Sequence, residues 1–551
     1  MRHLPHPISG ADYQEVGEGV VRVSDPKTGK TGTFRWDGAW IDGALTHADP
    51  HFLIHVGGPT PPEGKNIYWR YLPPVDDPAP GGSASAYGSR RATAEGAQSP
   101  PPKVAKYIAD PGRQTNRGMR SAGFVDLDYI LSNDRRPELV PDAFWLESPM
   151  TGGPQKISTD RYFEKRYHDM EVERIWKRTW QMACREDDIP NIGDYHVYEI
   201  ANLSFLIVRT GAHEFKAHYN ACLHRGRLLR ECDGKAATEF RCPYHGWMWG
   251  IDGGLKEITC EWDFPGVRED VSQLPGAKVA TWAGFVFINP DPDSMPLEEY
   301  LGPVMMAHYE KYRFQNRYKQ AHVQRVMAAN WKVVMEAFME SYHIIATHPQ
   351  FMLRGGDGGD QRYDVFGHWG RAGHVSAGSA SPQRGLFQSK EEALAEFQAM
   401  ADANRAYLRG LIGDEVERYS DAEVNDEAFG DLFPNLHPWL GWSRLVFRFR
   451  PLGDNPDACL MDVIYLAPWP EGKPKPPAAA VHHLGVDQSW CDAPELGMLA
   501  LIIDQDVFNL PKVQAGLKTK QPPYTWYSAY QEGKIRNFHA NYNRWMGLPD
   551  D

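Results

Sequence analysis

Long apolar runs, basic surplus and cysteine are all scarce in this chain. Its most apolar stretches, such as Phe285-Val286-Phe287-Ile288, fall far short of the roughly 20 residues a membrane-spanning helix needs. MRHLPHPISG at the start has no apolar h-region, so it does not read as a secretory signal. Lys and Arg number 59 against 72 Asp and Glu, a formal charge of -13, which leaves no basic surplus to neutralise nucleic-acid phosphates. Seven cysteines, a sparse and odd number, argue against a disulfide framework and favour a reducing, cytoplasmic setting. There, closely spaced Cys and His are expected to bind metal. Neither a membrane nor nucleic acid is expected as a partner. What is present is ordinary for a globular protein, with 42% hydrophobic and 24% charged residues in 551. That length allows roughly three or four domains.

Composition divides the chain. Residues 1–73 read as a small β-rich module, from the glycines and aromatics of GKTGTFRWDGAW and the short apolar run HFLIHV. Residues 74–120 read as a Pro, Gly and Ser-rich linker. Helical spacing of Tyr162, Tyr167, Ile175, Trp176 and Trp180 predicts a helix over 161–180. From 190 to 290, short strands between turn signals predict a small β-barrel or sandwich. After 296, helical stretches (296–312, 331–346, 389–412, 495–517) alternate with strand-like runs such as QAHVQRVMA, WSRLVFRFRP and ACLMDVIYLAP. That alternation predicts an α+β domain with a mostly antiparallel sheet.

Two groups of residues carry chemistry. NACLHRGRLL holds Cys222 and His224, and RCPYHGWMW holds Cys242 and His245. Two tight loops, each offering one Cys and one His, suit either a tetrahedral Cys2His2 zinc site or a [2Fe–2S] centre with two thiolates on one iron and two imidazoles on the other. A zinc finger would carry both His on a helix, whereas here each His shares a loop with a Cys. The remaining cysteines (Cys184, Cys232, Cys260, Cys459, Cys491) have no paired spacing and read as plain thiols. The second group lies in NWKVVMEAFMESYHIIATHP, where His343 and His348 stand five apart. That spacing is not one face of a straight helix. A helix that loosens near Ala346-Thr347 would still bring both imidazoles to one metal. Two His and one carboxylate with open positions form the facial triad of non-haem Fe(II) oxygenases.

HRG after the first His, PYHGW around the second, and NWK…E…E-x2-H-x4-H downstream together resemble the Rieske non-haem iron oxygenases, in that family's order. The resemblance covers roughly residues 161–520. It implies a small all-β Rieske [2Fe–2S] domain (161–295) held by Cys222, His224, Cys242 and His245. A helix-grip-like α+β catalytic domain (296–551) is implied after it, with mononuclear Fe(II) on His343 and His348. The family's third ligand is a carboxylate on a C-terminal helix; LIIDQDVFNLPKVQAGL is similar to that stretch and points to Asp506, with Asp504 as competitor. Glu340, three residues before His343, matches the family's acid that links a ligand His of the mononuclear iron to a Rieske His across a subunit boundary, here His245. Ring-dihydroxylating members carry Asp at that bridge and Asn after the upstream Glu; this chain has Glu340 and Ala337. The E-x2-H spelling is closer to the carnitine and choline oxygenases, so monooxygenation and demethylation stand beside dihydroxylation.

The implied protein is a terminal oxygenase using O2 and electrons from a separate reductase or ferredoxin, assembled as a homotrimer. Met335, Phe338, Met339 and Phe351 favour an apolar or aromatic organic substrate; a quaternary ammonium compound, which would want an aromatic cage, is the alternative. A Rieske electron carrier without catalysis is the alternative of a different class. The resemblance leaves the N-terminal module unexplained. Its His47, His51 and His55 recur every fourth residue, but Pro50 and the strand-like HFLIHV argue against a helix that would align them, and they read as structural.

Overall fold

The computed structural model describes residues 2–59, 127–148, 150, 152–352, 358, 361–373, 389–469 and 473–549. The expected linker at 74–120 lies outside the described residues, as does the end of the N-terminal module.

The N-terminal module is an antiparallel meander of His3–Pro5, Asp12–Gly17, Val20–Ser24, Thr31–Arg35 and Trp40–Gly43. Strand alternation puts Tyr13, Val21, Val23 and Phe34 on one face, where they are buried. HFLIHV covers that face as a helix, α1 (Pro50–Gly57), and not as the strand its composition predicts. Pro50 starts this helix because its missing N–H is no loss at the first position. Asp49 caps it, accepting from the backbone N–H of His51 at 2.9 Å and of Phe52 at 3.3 Å.

The expected helix over 161–180 is shorter in the structure. It comprises α2 (Lys165–Glu171) and a π-helical turn (Val172–Trp176), and ends where Gln181 Nε2 donates to the Trp176 carbonyl at 2.7 Å. Gln181–Arg185 then opens a six-stranded antiparallel sheet in the order Gln181–Arg185, Phe285–Asn289, Gly276–Trp282, Phe215–Tyr219, Leu203–Arg209, Tyr195–Ile200. A three-stranded sheet of Glu239–Arg241, Met248–Gly250 and Leu255–Glu257 stands beside it.

The C-terminal part is built on an eight-stranded sheet. Its spine is Leu445–Leu452, Asn455–Ala467 and Tyr318–Met327, whose pairing is antiparallel; His482–Leu484 adds a parallel edge. The helix expected over 331–346 is two helices, α3 (Trp331–Glu336) and α4 (Ile344–Thr347), joined by a turn. Asn330 caps α3 by accepting from Lys332 N at 3.0 Å. Glu336 anchors the other end of α3, because its buried carboxylate accepts from Tyr162 (3.0 Å), Tyr527 (2.6 Å) and His539 (3.0 Å). Helices α5 (Lys390–Ile412), α6 (Leu499–Leu517) and α7 (Gly533–Met546) complete the layer. Among the described residues no helix is long and apolar enough to cross a membrane.

Candidate metal centres

Two loops of the same build carry Cys222, His224, Cys242 and His245. In the first, Gly226 N donates to the Cys222 carbonyl at 2.8 Å and Cys222 N to the Arg227 carbonyl at 2.9 Å. In the second, Gly246 N donates to the Cys242 carbonyl at 3.0 Å and Cys242 N to the Trp247 carbonyl at 2.8 Å. Each loop closes through a glycine in the left-handed region, Gly226 at φ +76° and Gly246 at +83°, where a Cβ is strained. That requirement explains the Gly four residues after each Cys.

The four side chains sort into two pairs. Both cysteines are buried. Burial first, then the Cys242 thiol, push the Cys222 pKa up. The His224 and His245 rings lie 4.5 Å apart on the outer side, with Trp247 stacked on His224 at 4.8 Å. His224 Nδ1 is buried with no hydrogen-bond partner, as a metal-donor nitrogen is. One tetrahedral zinc would draw all four donors to one point; a thiol pair and an imidazole pair fit two irons.

The second centre gathers side chains from distant segments. His343 comes from the turn before α4, His348 from the residue after it, and Asp506 from α6. Asp506 Oδ1 lies 2.9 Å from His348 Nε2 and 3.4 Å from His343 Nε2. Among the described residues these three are the group whose ligand atoms lie within 4.8 Å of one another. Asp504 faces elsewhere: it accepts from the Ser489 hydroxyl and from Trp490 N at 3.0 Å. The helix between the imidazoles ends at Thr347, near the expected Ala346-Thr347, and His348 leaves it in a non-helical conformation; a second break comes earlier, where residues 337–343 form the turn between α3 and α4.

Glu340 sits in that turn and not on a helix face. Its carboxylate accepts from His343 N at 3.0 Å and from His343 Nδ1 at 2.6 Å, which directs His343 Nε2 toward Asp506. Burial lowers the His343 pKa, but Glu340 and then Asp506 overcome it and hold the imidazole up at about 9. A metal at the cluster takes the place of that proton. The donor set, two imidazoles and a carboxylate, fits a mononuclear non-haem iron. A cleft of about 420 Å³ opens beside it, lined by Ala337, Glu340, His343, Thr347, Asp506 and Asn509 among others.

Of the apolar residues expected near the ligands, Met335 and Met339 are core. Phe338 meets Phe447 at 4.8 Å and Phe449 at 5.6 Å, and Phe351 meets the His348 ring at 5.6 Å. Sequence reasoning missed Gln505. It is buried, and its Oε1 accepts from His348 Nδ1 at 3.0 Å and from Gln350 Nε2 at 2.6 Å. Its place between Asp504 and Asp506 carried no signal of this. His51 and His55 lie one turn apart on α1, His47 lies outside the helix, and among the described residues none of the three belongs to a group of metal-ligand atoms.

Comparison with known proteins places these centres in context. Residues 179–268 match the Rieske [2Fe-2S] domain, and residues 308–548 match the ring hydroxylating alpha subunit (catalytic domain). The carnitine monooxygenase oxygenase subunit of Escherichia coli (strain K12) is 29% identical over 343 residues, 56% of this chain and 85% of that protein. Biphenyl 2,3-dioxygenase subunit alpha of Rhodococcus jostii is 32% identical over 187 residues, 33% of this chain and 41% of that protein. In fold, the chain is similar to a quaternary ammonium Rieske monooxygenase in its apo form, with a TM-score of 0.51 and 18% identity over 71% of this chain and 95% of that one. Naphthalene 1,2-dioxygenase with indole bound gives a TM-score of 0.51 and 18% identity over 72% of this chain and 93% of that one. These matches make the all-β domain a Rieske domain with its [2Fe-2S] cluster and the α+β domain the seat of a mononuclear iron. An enzyme so equipped takes electrons from a partner protein and uses O2, so this chain belongs to the Rieske non-haem iron oxygenases as an oxygenase α subunit.

Proposed function

We propose that this α subunit hydroxylates or demethylates a small organic substrate. In this reading Cys222, His224, Cys242 and His245 hold the cluster, and His343, His348 and Asp506 hold the Fe(II). Convergence of His343, His348 and Asp506 beside a cleft is the observation that carries it. The bound irons supply electron storage and O2 activation. The chain's own residues place and orient them: Glu340 keeps the Nδ1 proton of His343 on the side away from Asp506.

Glu340 also serves as the link between centres in adjacent subunits. It lines the cleft beside His343. The matching surface is the rim of the Rieske loops, where Tyr244 is exposed against His245 and Trp262 is 82% exposed. Such head-to-tail contacts close most simply as a homotrimer. The electron donor is a separate reductase or ferredoxin, and the setting is cytoplasmic.

The apolar part of the cleft lining, Ala337, Leu510 and Val513, favours an apolar or aromatic substrate. A second reading, a quaternary ammonium substrate, is favoured by Glu340 in place of Asp and by relatives named carnitine and choline monooxygenases. A screen with a surrogate reductase tests both, with carnitine and choline set against anthranilate and biphenyl. The readout is oxygenated product by mass spectrometry under 18O2. Product from one set alone decides between the readings. Two irons per chain, and no product from any substrate, would sink the catalytic reading in favour of an electron carrier.

A further inference from the structure

Residues 2–59 lie outside both family matches, yet they reach the iron-site helix. The ring of His51 on α1 meets Phe508 of α6 edge-on at 5.6 Å. Gln505 Nε2 donates to the His51 carbonyl at 2.9 Å and to Gln350 Oε1 at 3.2 Å. The other end of the same carboxamide, Oε1, accepts from His348 Nδ1.

A carboxamide is nearly symmetric in shape but opposite in chemistry at its two ends. Turned over, Gln505 would present N–H to His348 Nδ1. The imidazole would then accept there, and its proton would occupy Nε2, the atom that faces Asp506. Gln350 does not prevent this, since its own carboxamide turns over in step. His348 does not prevent it either, because a neutral imidazole has both tautomers. At the module's end of this chain of hydrogen bonds, the His51 carbonyl can only accept. It therefore keeps the Gln505 NH2 on the module's side and Oε1 on the side of His348.

We propose that the N-terminal module is a positioning element of the mononuclear iron site: through the His51 carbonyl and Gln505 it keeps His348 protonated at Nδ1 and its Nε2 free for the metal. The inference rests on the assignment of His348 as an iron ligand. Second-sphere partners of this kind alter metal retention as well as turnover.

The test follows release of the mononuclear iron from full-length protein to a ferrous chelator, with the Rieske absorption as internal control. Gln505→Leu is expected to release iron about tenfold faster. Gln505→Glu, whose two oxygens both accept, needs no orienting partner and is expected to restore slow release. Asp49→Ala removes the cap of α1 and touches no group of the iron site. It is expected to speed release roughly twofold to tenfold in the wild-type background and to leave the rate unchanged in Gln505→Glu. Wild-type release in both Gln505→Leu and Asp49→Ala, with His348→Ala losing its iron, overturns the inference and leaves the ligand assignment standing. An equal effect of Asp49→Ala in both backgrounds overturns it as well. Retention of iron in His348→Ala overturns the ligand assignment, and the inference falls with it.

Discussion

The two metal centres of this chain are built in opposite ways. The proposed Rieske donors sit on two short loops of one small β-domain, each loop closed by its own glycine and its own backbone hydrogen bonds. The proposed mononuclear donors come from the ends of a one-turn helix and from α6 far along the chain, and they meet where α6 packs on α3, α3 lies on Leu445–Leu452 and Asn455–Ala467, and Asn509 of α6 donates to the Thr347 hydroxyl of α4 at 3.3 Å. A site made from local loops is written into contiguous sequence, whereas a site made from packed helices depends on every contact that sets the helices. The first is expected to fail all at once when a donor is lost, and the second to respond in degrees to residues that never touch the metal.

The largest effects are expected at the local site. Cys222→Ser or Cys242→Ser should abolish the visible Rieske absorption and the reduced-state EPR signal, while metal analysis still finds the mononuclear iron. A surviving signal in both variants would break the contrast at its root. Next come His343→Ala, His348→Ala and Asp506→Ala, which should each lose the third iron and all product while the Rieske spectrum stays intact. Asp504→Ala is the control. It should keep that iron and lose roughly 1–3 kcal/mol of stability in denaturant titration, because Ser489 and Trp490 lose their acceptor.

Glu340→Gln probes the link between the centres. Both metals should remain and the Rieske cluster should still accept electrons, but product formation should fall roughly 10- to 100-fold. Near wild-type turnover in this variant would remove Glu340 from the scheme.

The smallest effect sharpens the contrast through pH. Burial pushes the Glu532 carboxyl up to about 7, with Glu340 and Glu336 adding to the rise against the Ser528 hydrogen bonds. From the ordinary carboxylate range up to about 7, the folded state therefore holds a proton that the unfolded state has released. Stability should fall as pH rises through that window, by up to about 3 kcal/mol. Glu532→Gln should flatten this slope in denaturant titrations at pH 5 and pH 8. An unchanged slope would show that the acid cluster beside the iron site does not set it.

Legibility followed the same division. C-x-H and C-x2-H with a glycine four residues after each Cys are complete instructions for a loop, so the candidate Rieske donors could be picked out by residue types and spacing. His343 and His348 were readable through their motif, but the break between α3 and α4 was not, because α3 ends at Glu336, whose carboxylate is held by Tyr162, Tyr527 and His539 from distant segments. HFLIHV was misread as strand-like. Its apolar run has no periodicity to separate strand from helix, and the deciding signal was the Asp49-Pro50 cap, which favours a helix start. Gln505 was invisible, since a glutamine between two aspartates declares nothing until the fold sets it between His348 and His51.

By itself the sequence determined the order of the two matched domains and singled out Cys222, His224, Cys242, His245, His343 and His348 as candidate donors, because these are local patterns whose chemistry does not wait on packing. The tertiary structure decided which aspartate faces those imidazoles, how Glu340 meets His343 outside any helix, and that the N-terminal module reaches Gln505. Each of these depends on the rotation of one helix against another, and that rotation is set by side chains distant in sequence that bury against each other.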